Sequence, residues 1–251
     1  MKKLLLATCL LAANLLPSST FGQDKKVDDI FKTYRFAMFV SPTFNSLRPT
    51  SSTIDNYAIT KGSGNVGFSF GLEVDYNIND RYTILSGIGM DWRGGTINTV
   101  HVPSSPLLTD YASSASVDYR LQYLTLPIAL KMVAVEVDKK TKVFAQTGFD
   151  LGILLSQRGN YTITTSGSTT PVTGEKTKLS GFATSVPLNI GWGIGPGVEY
   201  DLNGKNSVFA SILYRNGFID HTSPKNNKKD FKFSDGNIRS NSFAIRIGYF
   251  F

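Results

Sequence analysis

The chain has 251 residues, 41% of them hydrophobic and 18% charged, with 23 glycines, a formal charge of +7 and a mean hydropathy of −0.08. That length can bury a sizeable core, and a single cysteine, Cys9, excludes a disulfide-stapled scaffold. Average hydropathy excludes a polytopic helical membrane protein, which needs repeated apolar runs of roughly 20 residues, and 12% aromatics argue against disorder.

The first element is a targeting segment. Met1-Lys2-Lys3 gives a positive start, Leu4 to Leu16 is apolar apart from Thr8, Cys9 and Asn14, and Ser18-Ser19-Thr20-Phe21-Gly22 ends it in mostly small residues. This pattern predicts a secretory signal peptide over residues 1–22. A transmembrane anchor is disfavoured because the apolar run is too short to span. Leu6-Ala7-Thr8-Cys9 has the look of a lipoprotein cleavage box, but few apolar residues precede the cysteine. Cleavage leaves a charge of +5 (+7 less Lys2 and Lys3) and no cysteine. A short periplasmic N-terminal segment, 23–33, is expected next, followed by a barrel over 34–251.

From there the chain alternates. Tyr34, Phe36, Met38 and Val40 open the series. Between Asn65 and Tyr76, the apolar Val66, Phe68, Phe70, Leu72, Val74 and Tyr76 alternate with Gly, Ser, Glu and Asp. A period of two means a strand with two unlike faces. After an Asn77–Asp80 turn, Tyr82, Ile84, Ile88, Met90 and Trp92 repeat the pattern. Val117 to Lys131 is less regular: its apolar set is odd-numbered to Tyr123 and even-numbered from Leu124. A phase change of that kind predicts a bulge near Tyr123, and Pro127 weakens the strand further. Phe149 to Leu155, Ile190 to Tyr200, Val208 to Tyr214 and Phe243 to Phe251 complete eight strands.

One face of these strands carries Phe, Ile, Leu, Tyr and Trp. The other carries Gly, Ser, Asn and charges, as in Gly191, Gly193, Gly195, Gly197 and Glu199. The interior of an eight-stranded barrel holds a modest set of side chains, so the small and polar face fits inside and the bulky face is left outside. In water such an exterior would aggregate; in lipid it is the expected surface, and closure satisfies the backbone. Short links (Asn77 to Asp80, Met132 to Lys142, Asp201 to Asn206) alternate with long ones (Asn45 to Gly64, Gly94 to Ser116, Gln157 to Ser180, Asp220 to Asn237). The fold class expected is therefore all-β: an eight-stranded antiparallel transmembrane β-barrel with short periplasmic turns and long extracellular loops. Both termini then fall in the periplasm. Tyr34, Tyr76, Tyr82, Tyr200, Tyr249, Trp92 and Trp192 suggest aromatic girdles.

The last residues, with Phe243, Ile245, Ile247, Tyr249 and Phe251 at alternate positions and an aromatic at the end, resemble the C-terminal signal read by the outer-membrane barrel assembly machinery. Leu121-Gln-Tyr-Leu-Thr-Leu-Pro-Ile-Ala-Leu-Lys131 and Gly193-Ile-Gly-Pro-Gly-Val-Glu-Tyr200 resemble the PorT-like family of outer-membrane β-barrels. The resemblance extends from about Tyr34 to Phe251 and implies a Gram-negative outer-membrane location. Some members of that family are tied to protein secretion, and many have no assigned role.

Candidate chemistry is sparse. His101, with Ser104 and Ser105, and His221, after Asp220, are the natural suspects for an envelope lipase or protease. A nucleophile needs a base in reach and a third group orienting it, and neither histidine sits in a recognisable motif. Solvated loop histidines are the plainer expectation, and no enzyme activity, metal or cofactor is expected. Gly193-Ile-Gly-Pro-Gly197 lacks the spacing and the following helix of a phosphate loop. The inward-facing charges say more: Glu73, Asp75, Asp91, Asp150 and Glu199 against Arg35, Arg81, Arg93, Arg215 and Arg246. A salt-bridged, closed interior is expected of them, with a narrow ion path as the alternative.

In the fourth long loop, Lys225, Lys228, Lys229 and Lys232 could contact anionic lipopolysaccharide, nucleic acid or an acidic partner, or simply be solvated. The third, rich in Ser and Thr, reads as a flexible surface segment. Overall the residues suggest a monomeric barrel of structural or interaction type, whose loops contact surface molecules or a secretion apparatus. A small pore or transport component is the alternative. Its expected partners are outer-membrane lipid, lipopolysaccharide and the assembly machinery, not nucleic acid.

Overall fold

The computed structural model describes residues 33–54, 56–102, 112–165, 170–179, 185–221 and 237–251. The expected signal peptide, the segment 23–33 apart from Thr33, Ser104, Ser105 and the lysines at 225, 228, 229 and 232 lie outside the described residues.

Ten antiparallel strands form one sheet: β1 (Tyr34–Pro49), β2 (Thr53–Ile54), β3 (Tyr57–Asn77), β4 (Tyr82–His101), β5 (Ala112–Glu136), β6 (Thr141–Thr165), β7 (Val172–Lys178), β8 (Leu188–Asp201), β9 (Ser207–Gly217) and β10 (Ile238–Phe250). Eight of them close a ring in chain order. β1 joins its ends, running from Tyr34↔Tyr76 to Asn45↔Asn65 against β3 and from Ala37↔Phe250 to Pro49↔Ile238 against β10. β2 adds to the tip of β3, and β7 pairs with the upper part of β6.

The bulky face points outward on all eight strands. Phe36, Met38 and Phe44 on β1, Phe68, Phe70 and Leu72 on β3, and Phe243, Ile245 and Ile247 on β10 are exposed. From Tyr34 to Phe44, at about 3.3 Å per residue and a tilt of about 40°, β1 covers roughly 25 Å of height, the thickness of an outer-membrane apolar band. Aromatic residues mark both margins. Tyr34 lies 5.1 Å from Tyr76 near the short turns, while Phe70 stacks on Trp92 at 5.9 Å and Tyr214 meets Phe243 at 5.0 Å toward the other end.

The three short turns are closed by side-chain carbonyls that capture free backbone donors. Asn79 Oδ1 accepts from the N–H groups of Arg81 and Tyr82 at 2.9 Å, and Asp138 Oδ1 from those of Lys140 and Thr141 at 2.7 Å. In the third turn Asp201 and Asn203 share the task, and Gly204 takes φ +80, a conformation open to glycine. The link expected over Met132 to Lys142 is shorter than that: β5 runs to Glu136, and residues 137–140 make the turn.

At the opposite end the strands continue well beyond the apolar band, which corrects the long links expected there. Most of Asn45 to Gly64 and of Gly94 to Ser116 is paired strand, from Tyr57↔His101 and Val100↔Ser114 downward. Thr162, Thr164 and Thr165 of the expected flexible segment belong to β6 and pair with β5. Inside this extension lies an apolar core of Leu47, Tyr57, Ile59, Ile97, Val117, Tyr119, Leu121, Tyr123, Ile163, Leu179 and Ile238.

That core revises the expected bulge as well. β5 keeps its odd-numbered residues inward from Ala115 through Tyr123 to Thr125 and Lys131. Its apolar set changes sides because the upper interior is apolar and the lower exterior is lipid-facing. The irregularity opposite Tyr123 is real, but the extra residue is Leu155 on β6: Gln122 pairs with Ser156 and Tyr123 with Leu154. Beyond it the inward positions of β6 shift from even to odd.

Lower down, aromatic rings fill the space left by inward glycines. Phe144 lies over Gly197, Phe209 over Gly248, and Phe39 reaches Gly71. A side chain built at Gly197 would overlap the Phe144 ring, so Gly197→Val is expected to destabilise the barrel by about 1–3 kcal/mol through overpacking. A urea midpoint in detergent micelles equal to that of the wild type would refute this packing argument.

Candidate functional site

The inward positions of the membrane-spanning half carry two ion clusters. Near the short turns, Lys131 Nζ on β5 lies 3.1 Å from Asp75 on β3 and 3.0 Å from Glu199 on β8. Glu199 also pairs with Arg35 at 2.6 Å and accepts a hydrogen bond from Ser207 at 2.9 Å, while Arg246 on β10 pairs with Glu73. The cations rest on ring faces. Lys131 Nζ is 4.5 Å from the centre of Phe144 and 4.8 Å from that of Phe250; the Arg35 and Arg246 guanidinium carbons sit 4.1 Å over Phe250 and 4.3 Å over Phe39.

Toward the long loops, Asp91 accepts hydrogen bonds from Arg93 and Arg215, both at 2.7 Å. Asp150 pairs with Arg93 and lies 3.6 Å from Arg215. A cavity of about 60 Å³ reaches both clusters and touches Thr125, Gln146, Asp150, Arg215 and Arg246. It has room for a few water molecules. Each cluster is neutral in itself: Glu73, Asp75 and Glu199 face Arg35, Lys131 and Arg246, and Asp91 and Asp150 face Arg93 and Arg215. Buried ions persist in a low-dielectric interior only when matched in this way.

Nine of the ten charges expected in the lumen are therefore brought together, and Arg81 is not. It is an exposed turn residue one position before β4, with its own N–H bonded to Asn79, so the strand's inward phase never reaches it. Lys131 takes its place in the balance. Its odd number on β5, in phase with Thr125 and Tyr123, is the signal that could have found it; the change in the apolar pattern near Tyr123 hid that phase.

Above the clusters the apolar core caps the lumen, and His221 belongs to it. The expectation of two solvated loop histidines fails here, because His221 is 3% exposed. Its Nδ1 lies 2.9 Å from the Tyr123 hydroxyl, its N–H donates to Ile238 O, and its carbonyl accepts from Val186. Burial, with a smaller contribution from Arg93, pushes its imidazole down to about 3. Asp220 does not orient it: the Asp220 carboxylate accepts from the Ile238 N–H at 2.8 Å. His101 ends β4 with its ring edge-on to Tyr57 at 5.5 Å. Neither histidine thus shows a base-and-orienter geometry among the described residues. Nor do any three His, Cys, Asp or Glu side chains among those residues converge as a metal site requires. Gly193, Gly195 and Gly197 line the lumen wall within β8, with Ile194 and Pro196 turned outward.

Phe243, Ile245, Ile247 and Tyr249 on β10, and Phe251 just past its end, share the outward parity. The last of them is zipped to β1 through the Phe251 N–H to Phe36 O bond at 3.0 Å.

A closed ring of eight antiparallel strands, apolar outside, edged by aromatic residues and filled by matched ions, is an integral outer-membrane β-barrel of a Gram-negative envelope. Residues 21–223 match the outer membrane protein β-barrel domain family, and the chain belongs to that family.

None of the curated proteins matches the sequence. Among solved structures, Neisserial surface protein A is similar at 14% identity and a TM-score of 0.40, over 85% of this chain and 95% of that one. OprG from Pseudomonas aeruginosa gives 10% and 0.42, over 87% and 95%. The attachment invasion locus protein Ail of Yersinia pestis gives 12% and 0.35, over 86% and 98%. Likeness at this distance bears on neither role nor ligand.

Proposed function

We propose that the barrel is a closed, monomeric and non-enzymatic anchor of structural or interaction type. Its extracellular hairpins and loops contact surface molecules or a secretion apparatus. The observation that carries this reading is the double closure of the lumen, by neutral ion clusters below and by the apolar core with His221 above. A filled interior leaves the strand extensions and loops to carry specificity. The PorT-like resemblance of residues 121–131 and 193–200 is compatible with either contact, since some members of that family are tied to secretion and many have no assigned role. In the same reading the signal peptide is removed, both termini are periplasmic, and the alternate apolar residues ending at Phe251 engage the assembly machinery.

A small pore needs a continuous water path, and the matched pairs Lys131–Asp75 and Arg93–Asp91 lie where that path would run. In planar bilayers the purified protein is expected to give no sustained stepwise conductance at any protein load. Reproducible steps of uniform size would overturn the anchor in favour of transport. Crosslinking in intact outer membranes, followed by pull-down, would then identify what the loops hold.

A further inference from the structure

The outer surface of the barrel carries a row of three cations on three neighbouring strands. Arg120 on β5 lies directly opposite Arg158 on β6, and Arg158 lies directly opposite Lys178 on β7. All three are exposed, and Lys176 stands beside them. Like charges placed directly across a sheet repel one another, so such a row calls for an anion. Asp118 pairs with Arg120 at 3.2 Å. Arg158, Lys176 and Lys178 have no carboxylate partner among the described residues.

The place of the row in the fold is specific. On β6 the outward residues Phe149, Ile153 and Leu155 are apolar, and Arg158 is the first charge beyond them. On β5 the apolar series ends at Leu124, and Arg120 is the first charge beyond Gln122. The cations therefore stand at the extracellular margin of the apolar band.

A cleft opens beside them for a structural reason. On the edge of β6 away from β5, pairing with β8 ends at Ile153 and pairing with β7 begins at Arg158, so a gap in the ladder opens between them, and the bulge residue Leu155 falls in it. The cleft has a volume of about 640 Å³ and runs from the exposed Leu155 past Ser156 and Gln157 to Arg158, Lys176 and Lys178.

We infer that this cleft binds one molecule of lipid A in the outer leaflet. Its phosphates sit against Arg158 and Lys178, within reach of Arg120, and an acyl chain lies on Leu155. A cationic rim above an exposed leucine at the membrane margin matches an amphiphile that is phosphorylated at its head. None of the site's residues belongs to the lysine group at 225–232. The site rests on the reading that the extracellular surface engages surface molecules, and it gives that reading a ligand.

Native mass spectrometry of the detergent-solubilised full chain tests it, with bisphosphorylated lipid A, dephosphorylated lipid A and inorganic phosphate as separate probes. The wild type is expected to retain the bisphosphorylated lipid at least ten-fold more tightly than the dephosphorylated one. Arg158→Ser with Lys178→Ser should remove that preference, and Arg158→Lys with Lys178→Arg should keep it. A heat-dependent gel shift identical to the wild type shows that each variant still folds. Equal retention of the two lipids, or a preference that survives the double serine variant, would overturn the site. So would inorganic phosphate binding as tightly as the lipid. None of these outcomes alters bilayer conductance, so the site can fail while the closed anchor stands.

Discussion

Replacing Lys131 with Met is expected to destabilise the folded barrel by about 3–5 kcal/mol, the effect of leaving buried charges without their partner. Among the described residues Lys131 is the one cation paired with Asp75 and one of two paired with Glu199, and it is closed in by Phe144 and Phe250. Methionine reproduces much of its length and none of its charge, so the loss measures the ion match rather than the packing. Adding Asp75→Asn and Glu199→Gln to the same chain should recover most of the stability, since neutral amides do not need the ammonium. Arg81→Ala, by contrast, should fall within about 0.5 kcal/mol of the wild type because Arg81 is exposed in a turn. Urea midpoints in detergent micelles distinguish these outcomes. A Lys131→Met barrel as stable as the wild type would show that the lower cluster does not hold the lumen closed.

Arg81 and Lys131 also show how far the sequence can be read. Where a strand crosses lipid, its two faces meet opposite solvents, and period-two alternation follows directly, as from Asn65 to Tyr76. The ring of eight strands, the outward set and nine of the ten lumen charges follow from that alternation. Above the membrane the outer face meets water, and the inner face is free to be apolar. On β5 the bulky residues therefore move from Leu124, Leu126 and Ile128 outside to Leu121, Tyr119 and Val117 inside, although the backbone keeps its phase.

A reader of residue types sees a bulge there and loses the phase that places Lys131 inside. On β6 the reverse happens: a real bulge at Leu155 is masked by neighbouring leucines that suit either side. The extended hairpins were hidden for the same reason, because strands such as Thr60 to Asn65 are polar on both faces. His221 carries no local pattern at all. Its burial depends on Tyr123, nearly a hundred residues away in sequence, and on the backbone of Ile238 and Val186.

That burial makes acid the second strong perturbation. Free in an unfolded chain, the His221 imidazole takes up a proton near pH 6.5; buried against Tyr123, it does so only at about 3. Between those values the unfolded or opened state binds a proton that the closed state refuses, so stability rises with pH across this window and falls as acid is added. Above pH 6.5 both states are neutral at this position and the mouth keeps its full stability. By pH 5 the difference is about 2 kcal/mol, and it grows by about 1.4 kcal/mol per further pH unit until the folded-state value is reached.

His221→Gln is neutral throughout and can still hydrogen-bond the Tyr123 hydroxyl, so the wild type minus the variant isolates this one group. Every other titratable group is common to the two proteins, so its contribution drops out of the difference. The sharpest readout is local: the Val186 amide donates to the His221 carbonyl, and its intrinsic-rate-corrected exchange protection should drop between pH 7 and pH 5 in the wild type but not in the variant. Parallel curves for the two proteins would mean that His221 is hydrated, and that the apolar cap over the lumen is not the dry closure that its packing with Tyr123 describes.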